Sequence, residues 1–199
     1  MEIDYKGVSV KTCDDVYEPA EDTFLLMDAL ESIDIKETDN VLEIGTGTGI
    51  IAIYAAKRAR HVTAVDINPD AVDCAKMNAK RNNVKCMDVF QSDLFSNAGC
   101  RYDLIIFNPP YLPVGEGEAT DEMIARAWNG GRSGREITDK FLVQAPSHLT
   151  QSGRIVILDS SKSRYQKTVE VLEKCGLDVK IACRMKFFFE ELVVIIAKR

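Results

Sequence analysis

The chain of 199 residues has only two histidines, one tryptophan and six cysteines. Cys13, Cys74, Cys86, Cys100, Cys175 and Cys183 are scattered with no C-x-x-C pair. Zinc is therefore not expected within this chain, and free thiols in a reducing cytoplasm are expected rather than a disulfide framework. His61 and His148 lie far apart and read as surface or boundary residues. No apolar stretch is long enough to span a bilayer, so no membrane is expected as a partner. Met1 to Lys6 lack the basic start and apolar run of a signal peptide. Basic runs are missing too. The formal net charge is −6, and Lys57-Arg58-Ala59-Arg60 is a short cluster closing a helix, where cations suit the dipole. A phosphate backbone is usually met by a basic face, so the balance weighs against direct nucleic-acid binding. Repeats, low-complexity tracts and linkers are absent. One domain over residues 1–199 is expected, long enough for a proper α/β core. The Walker sequence Gly-Lys-Ser/Thr is missing, and the third glycine of G-x-G-x-x-G is replaced by Ile50.

What is present is a series of apolar strands that each end on a polar side chain. Asn40-Val41-Leu42-Glu43-Ile44 reads as a buried strand running into Gly45-Thr46-Gly47-Thr48-Gly49 and an Ala- and Ile-rich helix through Ala59. A G-x-G-x-G loop lets the backbone approach a ligand closely. The carboxylate of Glu43 beside it repels phosphate and suits a cation. S-adenosylmethionine carries two cationic centres, an ammonium and a sulfonium. His61 to Val65 reads as the second strand, ending at Asp66 about 20 residues after the glycine loop, where an acid binds ribose hydroxyls. Asn68-Pro69-Asp70 caps a helix with Ala71, Val72, Ala75 and Ala79 on its inner face. Lys85 to Gln91 reads as the third strand, followed by Asp93, placed to accept from an adenine amino group, and Leu94, placed to pack on its ring. One acid at a strand end is ordinarily a solvated cap; three in succession suggest a ligand.

The fourth strand carries the chemistry. Leu104-Ile105-Ile106-Phe107 stops at Asn108-Pro109-Pro110-Tyr111. Two prolines cannot donate to a ladder, so the strand ends there. In open α/β sheets that edge is where ligands bind. The Asn108 carbonyl and the Pro109 main-chain carbonyl can accept from the NH2 of a delocalised nitrogen, and Tyr111 offers a ring to a planar group. The plain alternative is a turn and nothing more.

The flanks are read more coarsely. Tyr5 to Thr12 reads as one short strand, and Pro19 as first-turn proline of a helix with Glu21 and Asp22 at its positive end. Leu26, Met27, Leu30 and Ile33 share one face of it. Tyr17 and Thr23 are not explained by helix initiation and could contact a ligand. Residues 112–135 are irregular and read as a substrate wall or lid. A helix from Asp139 is expected to bury Phe141, Leu142, Ala145 and Leu149, with a strand over Arg154 to Leu158. Tyr165, Val169 and Leu172 line a further helix ended by Gly176. The segment from Leu177 to Cys183 alternates as an edge strand, and Leu192 to Ala197 reads as its buried antiparallel partner.

Together these motifs resemble the class I S-adenosylmethionine-dependent methyltransferases. The resemblance implies a Rossmann-like α/β fold with a seven-stranded, mostly parallel sheet, a C-terminal antiparallel hairpin and helices on both faces. Asn-Pro-Pro-Tyr narrows it to enzymes methylating planar nitrogens. The segment Tyr17-Glu18-Pro19-Ala20-Glu21-Asp22-Thr23-Phe24-Leu25-Leu26 resembles HemK-like release-factor glutamine methyltransferases of the short archaeal and eukaryotic branch, as does 127–136, Ala-Trp-Asn-Gly-Gly-Arg-Ser-Gly-Arg-Glu. The resemblance implies that Thr23, Glu43, Gly45, Thr46, Gly47, Gly49, Asp66, Ile67, Asp93, Leu94 and Asn108 serve the cofactor, S-adenosylmethionine. It implies that Asn108, Pro109, Pro110 and Tyr111 hold the glutamine of the Gly-Gly-Gln motif of a peptide chain release factor. It also implies a small zinc-binding activator subunit, for which the third strand, with Met87 and Val89, would be the available sheet edge. Competing readings are adenine-N6 methylation of DNA or RNA, protein lysine methylation, and a scaffold that has lost catalysis.

Overall fold

Strands buried on both faces read as continuous apolar runs, and three segments meet that description: β3 (Asn40–Ile44), β4 (His61–Asp66) and β6 (Tyr102–Phe107). The computed structural model describes residues 1–99, 101–115 and 127–199. It joins these strands to β5 (Met87–Gln91), β7 (Leu149–Ser160), β8 (Asp178–Lys186) and β9 (Glu191–Lys198) in one sheet of order β5-β4-β3-β6-β7-β9-β8. The first five are parallel, and β9 runs antiparallel to both β7 and β8. This is the expected mostly parallel seven-stranded sheet with its terminal hairpin. Alternation along β3 divides the core: Val41 faces one apolar cluster and Leu42 the other. The first cluster takes side chains of α1 (Glu21–Glu31), α2 (Ile50–Ala56) and α3 (Pro69–Arg81). The second takes those of α4 (Glu136–Gln144) and α5 (Tyr165–Lys174). Strand order reverses between β3 and β6, and a crevice opens at their carboxyl ends.

Several boundaries differ from the sequence expectation. Instead of one strand over Tyr5 to Thr12, a hairpin forms from β1 (Glu2–Tyr5) and β2 (Val8–Lys11). Lys6 and Gly7 both take positive φ, which turns the chain between them. Pro19 precedes the helix rather than lying in its first turn, since Ala20 is the N-cap of α1. Helix α2 stops at Ala56, short of Ala59; Arg58 N donates to the carbonyl of Ala55, tightening the end, and the Arg58 guanidinium lies 3.8 Å over the Tyr54 ring. α4 starts earlier than Asp139 and ends at Gln144, because Pro146 has no N–H to continue the ladder. A 3-10 turn over Ala145–His148 follows, and Leu149 opens β7 rather than closing the helix. β5 is shorter than Lys85 to Gln91, and β7 is longer than Arg154 to Leu158.

The β1–β2 hairpin docks on α3 through two asparagines one turn apart. Asn78, wholly buried, donates to the carbonyls of Lys11 and Thr48 and accepts from Lys11 N, each at 2.9 Å. Asn82 accepts from Ser9 N at 3.2 Å and donates to Ser9 O at 2.7 Å. The two amides act as a surrogate strand edge. This docking brings Cys13 beside Cys74, and the two form a disulfide across 61 residues. The expectation of free thiols fails here, because the pairing depends on how β2 lies on α3 and leaves no trace in spacing. Cys86, Cys175 and Cys183 are free; Cys100 lies outside the described residues. His61 contacts Asp88 at 3.1 Å, and the His148 ring stacks on Phe95. Among the described residues no helix is long and apolar enough to cross a membrane.

Candidate active site

The crevice is a cavity of about 660 Å³. Its floor is laid by strand ends. Glu43 shares the α1/α2 face of β3 with Val41 and is 2% exposed. Thr46 Oγ1 donates to its Oε2 at 2.5 Å. Burial nonetheless pushes the Glu43 carboxyl up to about 8, against the opposing pull of Thr46 and of the Ala52 backbone, while Asp66 adds a further upward push. A carboxyl held that high gains from a cation placed beside it. Asp66, at the end of β4, accepts from Gly47 N and Asn68 N, each at 2.9 Å. Burial raises its pKa and these backbone donors oppose the rise. After β5, Leu94 takes a positive φ of 48°, rare for a branched side chain, and is buried at the cavity wall beside Asp93.

Most of the residues expected at the site line this cavity: Thr23, Glu43, Gly45, Thr46 and Gly47 from α1 and the glycine loop, Asp66 and Ile67 after β4, Asp93 and Leu94 after β5, and Asn108 and Pro110 after β6. Three expected residues do not line it. Gly49, at φ +83°, is the N-cap of α2, where a Cβ would lie 3.0 Å from Ala75 Cβ. It serves the close packing of α2 on α3. Pro109 is buried in the turn. The ring of Tyr111 packs against the α1/α2 core; burial first, then Asp22, Tyr17 and Glu190, raise its pKa.

Asn108 is the centre of the site. Its Nδ2 donates to Asp22 Oδ2 at 2.9 Å, while its Oδ1 is buried with no hydrogen-bond partner among the described residues. Asp22, 5% exposed, accepts through Oδ1 from Thr23 N at 2.6 Å, Thr23 Oγ1 at 3.3 Å and the Tyr17 hydroxyl at 3.1 Å. Burial and the Asp22 charge raise the Tyr17 pKa, so its phenol remains a donor. In the sequence Asp22 shows only a role at the positive end of the helix dipole; the signal for more is its place next to Thr23, on the segment that resembles the family's entry segment. Ile137 and Lys140 of α4 also line the cavity and carried no sequence signal.

The far wall comes from the chain before α4. Leu112 N donates to Trp128 O, Gly130 N to Leu112 O, and Glu136 N to Gly130 O, all at 2.9–3.0 Å. Arg135, 2% exposed, ties this segment to the body: it donates to Asp139 and Thr168 and to the carbonyl of Ser163, and lies 3.6 Å from Asp159. Asn129, Gly131 and Arg132 line the cavity. Of the expected lid over 112–135, residues 116–126 lie outside the described residues.

A strand-order reversal with acids at three strand ends and an asparagine at the fourth defines a class I methyltransferase fold and site. The family model described as methyltransferase small domain matches residues 18–188. Over the full length of both chains, the sequence is 47% identical to a Methanocaldococcus jannaschii protein named "Putative protein N5-glutamine methyltransferase MJ0928". It is 34% identical to human methyltransferase HEMK2, over 82% of this chain and 80% of that protein. Among solved structures, it superposes with a TM-score of 0.73 and 29% identity on a chain of the E. cuniculi Mtq2–Trm112 complex, described as responsible for methylating the eRF1 translation termination factor; the match covers 93% of this chain and 99% of that one. The chain belongs to the methyltransferase small-domain family and, within it, to the HemK-type protein N5-glutamine methyltransferases.

Proposed function

We propose that the chain transfers a methyl group from S-adenosylmethionine to the side-chain amide of the glutamine in the Gly-Gly-Gln motif of a peptide chain release factor. The observation that carries the reading is the unpartnered, buried Oδ1 of Asn108 at the edge of the cavity. Buried acceptors without partners are costly, and a primary amide supplies the missing donor. The names of the relatives support the same substrate class.

The donor set fits the cofactor. Glu43 favours its cationic end, Asp66 the ribose hydroxyls, and Asp93 with Leu94 the adenine. When bound, S-adenosylmethionine supplies an electrophilic methyl on its sulfonium. Asn108 Oδ1 then accepts from an N–H of the target amide. Its pull raises electron density on nitrogen and orients its lone pair. The amide proton is lost after transfer, so no base of shifted pKa is required. Orientation and exclusion of water supply most of the rate.

The same reading places the protein in the cytoplasm, where translation ends. It also gives β5, at one end of the sheet, to a small zinc-binding activator subunit; its Met87 and Val89 are half-buried. A purified chain that is monodisperse and fully active alone would remove the need for that subunit. The enzymatic reading is tested by incubating the chain with labelled S-adenosylmethionine and three acceptors: a release factor, its Gly-Gly-Gln variant with glutamine replaced, and an oligonucleotide. Label is expected on the intact release factor alone; label on the oligonucleotide or on the variant would overturn the reading.

A further inference from the structure

We propose that Asp22 is a positioning residue that decides which end of the Asn108 carboxamide faces the target, and so makes the site an acceptor for an N–H donor. The proposal rests on the role of Asn108 given above. The two ends of a primary amide are almost the same size, so packing cannot choose between them. Asp22 chooses by chemistry. Its Oδ1 is occupied by donors from Thr23 and Tyr17, and its Oδ2 faces Asn108 at 2.9 Å. A flipped Asn108 would set oxygen against oxygen in a buried place, with no proton between them. The hydrogen bond to Asp22 also polarises the amide, which makes Oδ1 a stronger acceptor.

Asp22→Asn tests this by inverting the choice. In that variant the new amide keeps its oxygen toward the Thr23 and Tyr17 donors and turns its NH2 to Asn108, which then flips and offers the target a donor. In the protein without substrate, NMR should show slow hydrogen exchange of the Asn108 side-chain amide in the parent and fast exchange in the variant. Turnover of a Gly-Gly-Gln peptide should fall by about 100-fold or more, with cofactor affinity retained. The relative affinity for a Gly-Gly-Glu peptide over the Gly-Gly-Gln peptide should rise by about tenfold, because a carboxylate accepts with either oxygen, whereas glutamine can accept only by turning its reacting nitrogen away. Simple loss of structure would weaken both peptides alike. Tyr17→Phe removes one donor to Asp22 without touching Asn108, and should lower kcat several-fold with KM unchanged. Near-parental turnover in Asp22→Asn, unchanged amide exchange, or parallel loss of both peptides in the folded variant would overturn the proposal. A parent that neither binds nor methylates the glutamine peptide would overturn the functional reading instead, and the exchange measurement would still decide the orientation.

Discussion

The floor of the cavity and its N-terminal wall meet at Asn108, but different physics holds them. The floor is made by the carboxyl ends of β3, β4, β5 and β6, each fixed by ladder pairing on at least one side. A buried sheet tolerates no slip, because one residue of register would turn every side chain over. Glu43, Asp66 and Asn108 are therefore placed by the core itself. The wall over Asp15, Val16, Tyr17 and Thr23 has no such ladder to the main sheet. It is held by the Asn78 and Asn82 amides, by the Cys13–Cys74 bond, by Asn68 Nδ2 donating to Asp15 O at 2.8 Å and by the Asp22 contacts. Rigid chemistry sits on the floor, and the wall that completes it is fastened at a few points.

The comparison can be broken most sharply at the junction. Asn108→Ala should lower kcat by roughly 100- to 1,000-fold while cofactor affinity survives; steady-state kinetics beside calorimetry check this, and near-normal turnover would remove Asn108 from the chemistry. Next comes the disulfide. It closes a loop of about 60 residues, so Cys13→Ser should cost about 4 kcal/mol in denaturant unfolding. Cofactor affinity should fall with it if the wall matters, and stay constant if the floor suffices. A smaller effect is expected for Asn78→Ala. That change strands the backbone groups of Lys11 and the carbonyl of Thr48, at about 2 kcal/mol, and proteolysis should then cut first near residues 12–17.

The smallest effect sharpens the floor. Glu43 is raised to about 8 by burial. A cationic ligand favours the ionised carboxyl, so binding should release a proton whenever the pH lies below that value. Affinity for S-adenosylmethionine should therefore rise about tenfold between pH 7 and pH 9 and then level off. Glu43→Gln should bind more weakly and lose this slope. A flat profile in the parent would mean that Glu43 does not face the cation.

This division also explains what was legible in the sequence. Each floor residue announces itself locally, as an apolar run that stops on a polar residue; the end of β3, the glycine loop, Asp66 and the β6 turn were all placed this way. The terminal hairpin followed from the same runs, whereas the seven-stranded, mostly parallel sheet came from the resemblance to class I methyltransferases. Contacts across the wall leave no local mark. Asp22 and Asn108 lie 86 residues apart, and Asn78 and Lys11 lie 67 apart. Helix propensity says nothing of a buried asparagine that stands in for a strand. Gly49 shows the converse: its motif suggested a ligand, and its neighbour is Ala75. Tyr111 was read as a ring offered to the substrate, yet it packs against the core and meets Asp22 through its charge.

The central claim is that a carboxamide nitrogen is what Asn108 receives. It is tested most directly by peptide mass spectrometry of a release factor after incubation with the chain and S-adenosylmethionine. The account predicts one added methyl, on the side-chain nitrogen of the Gly-Gly-Gln glutamine, and its loss with Asn108→Ala. A methyl found on lysine instead, or an unmodified glutamine with the cofactor bound and the protein folded, would contradict it.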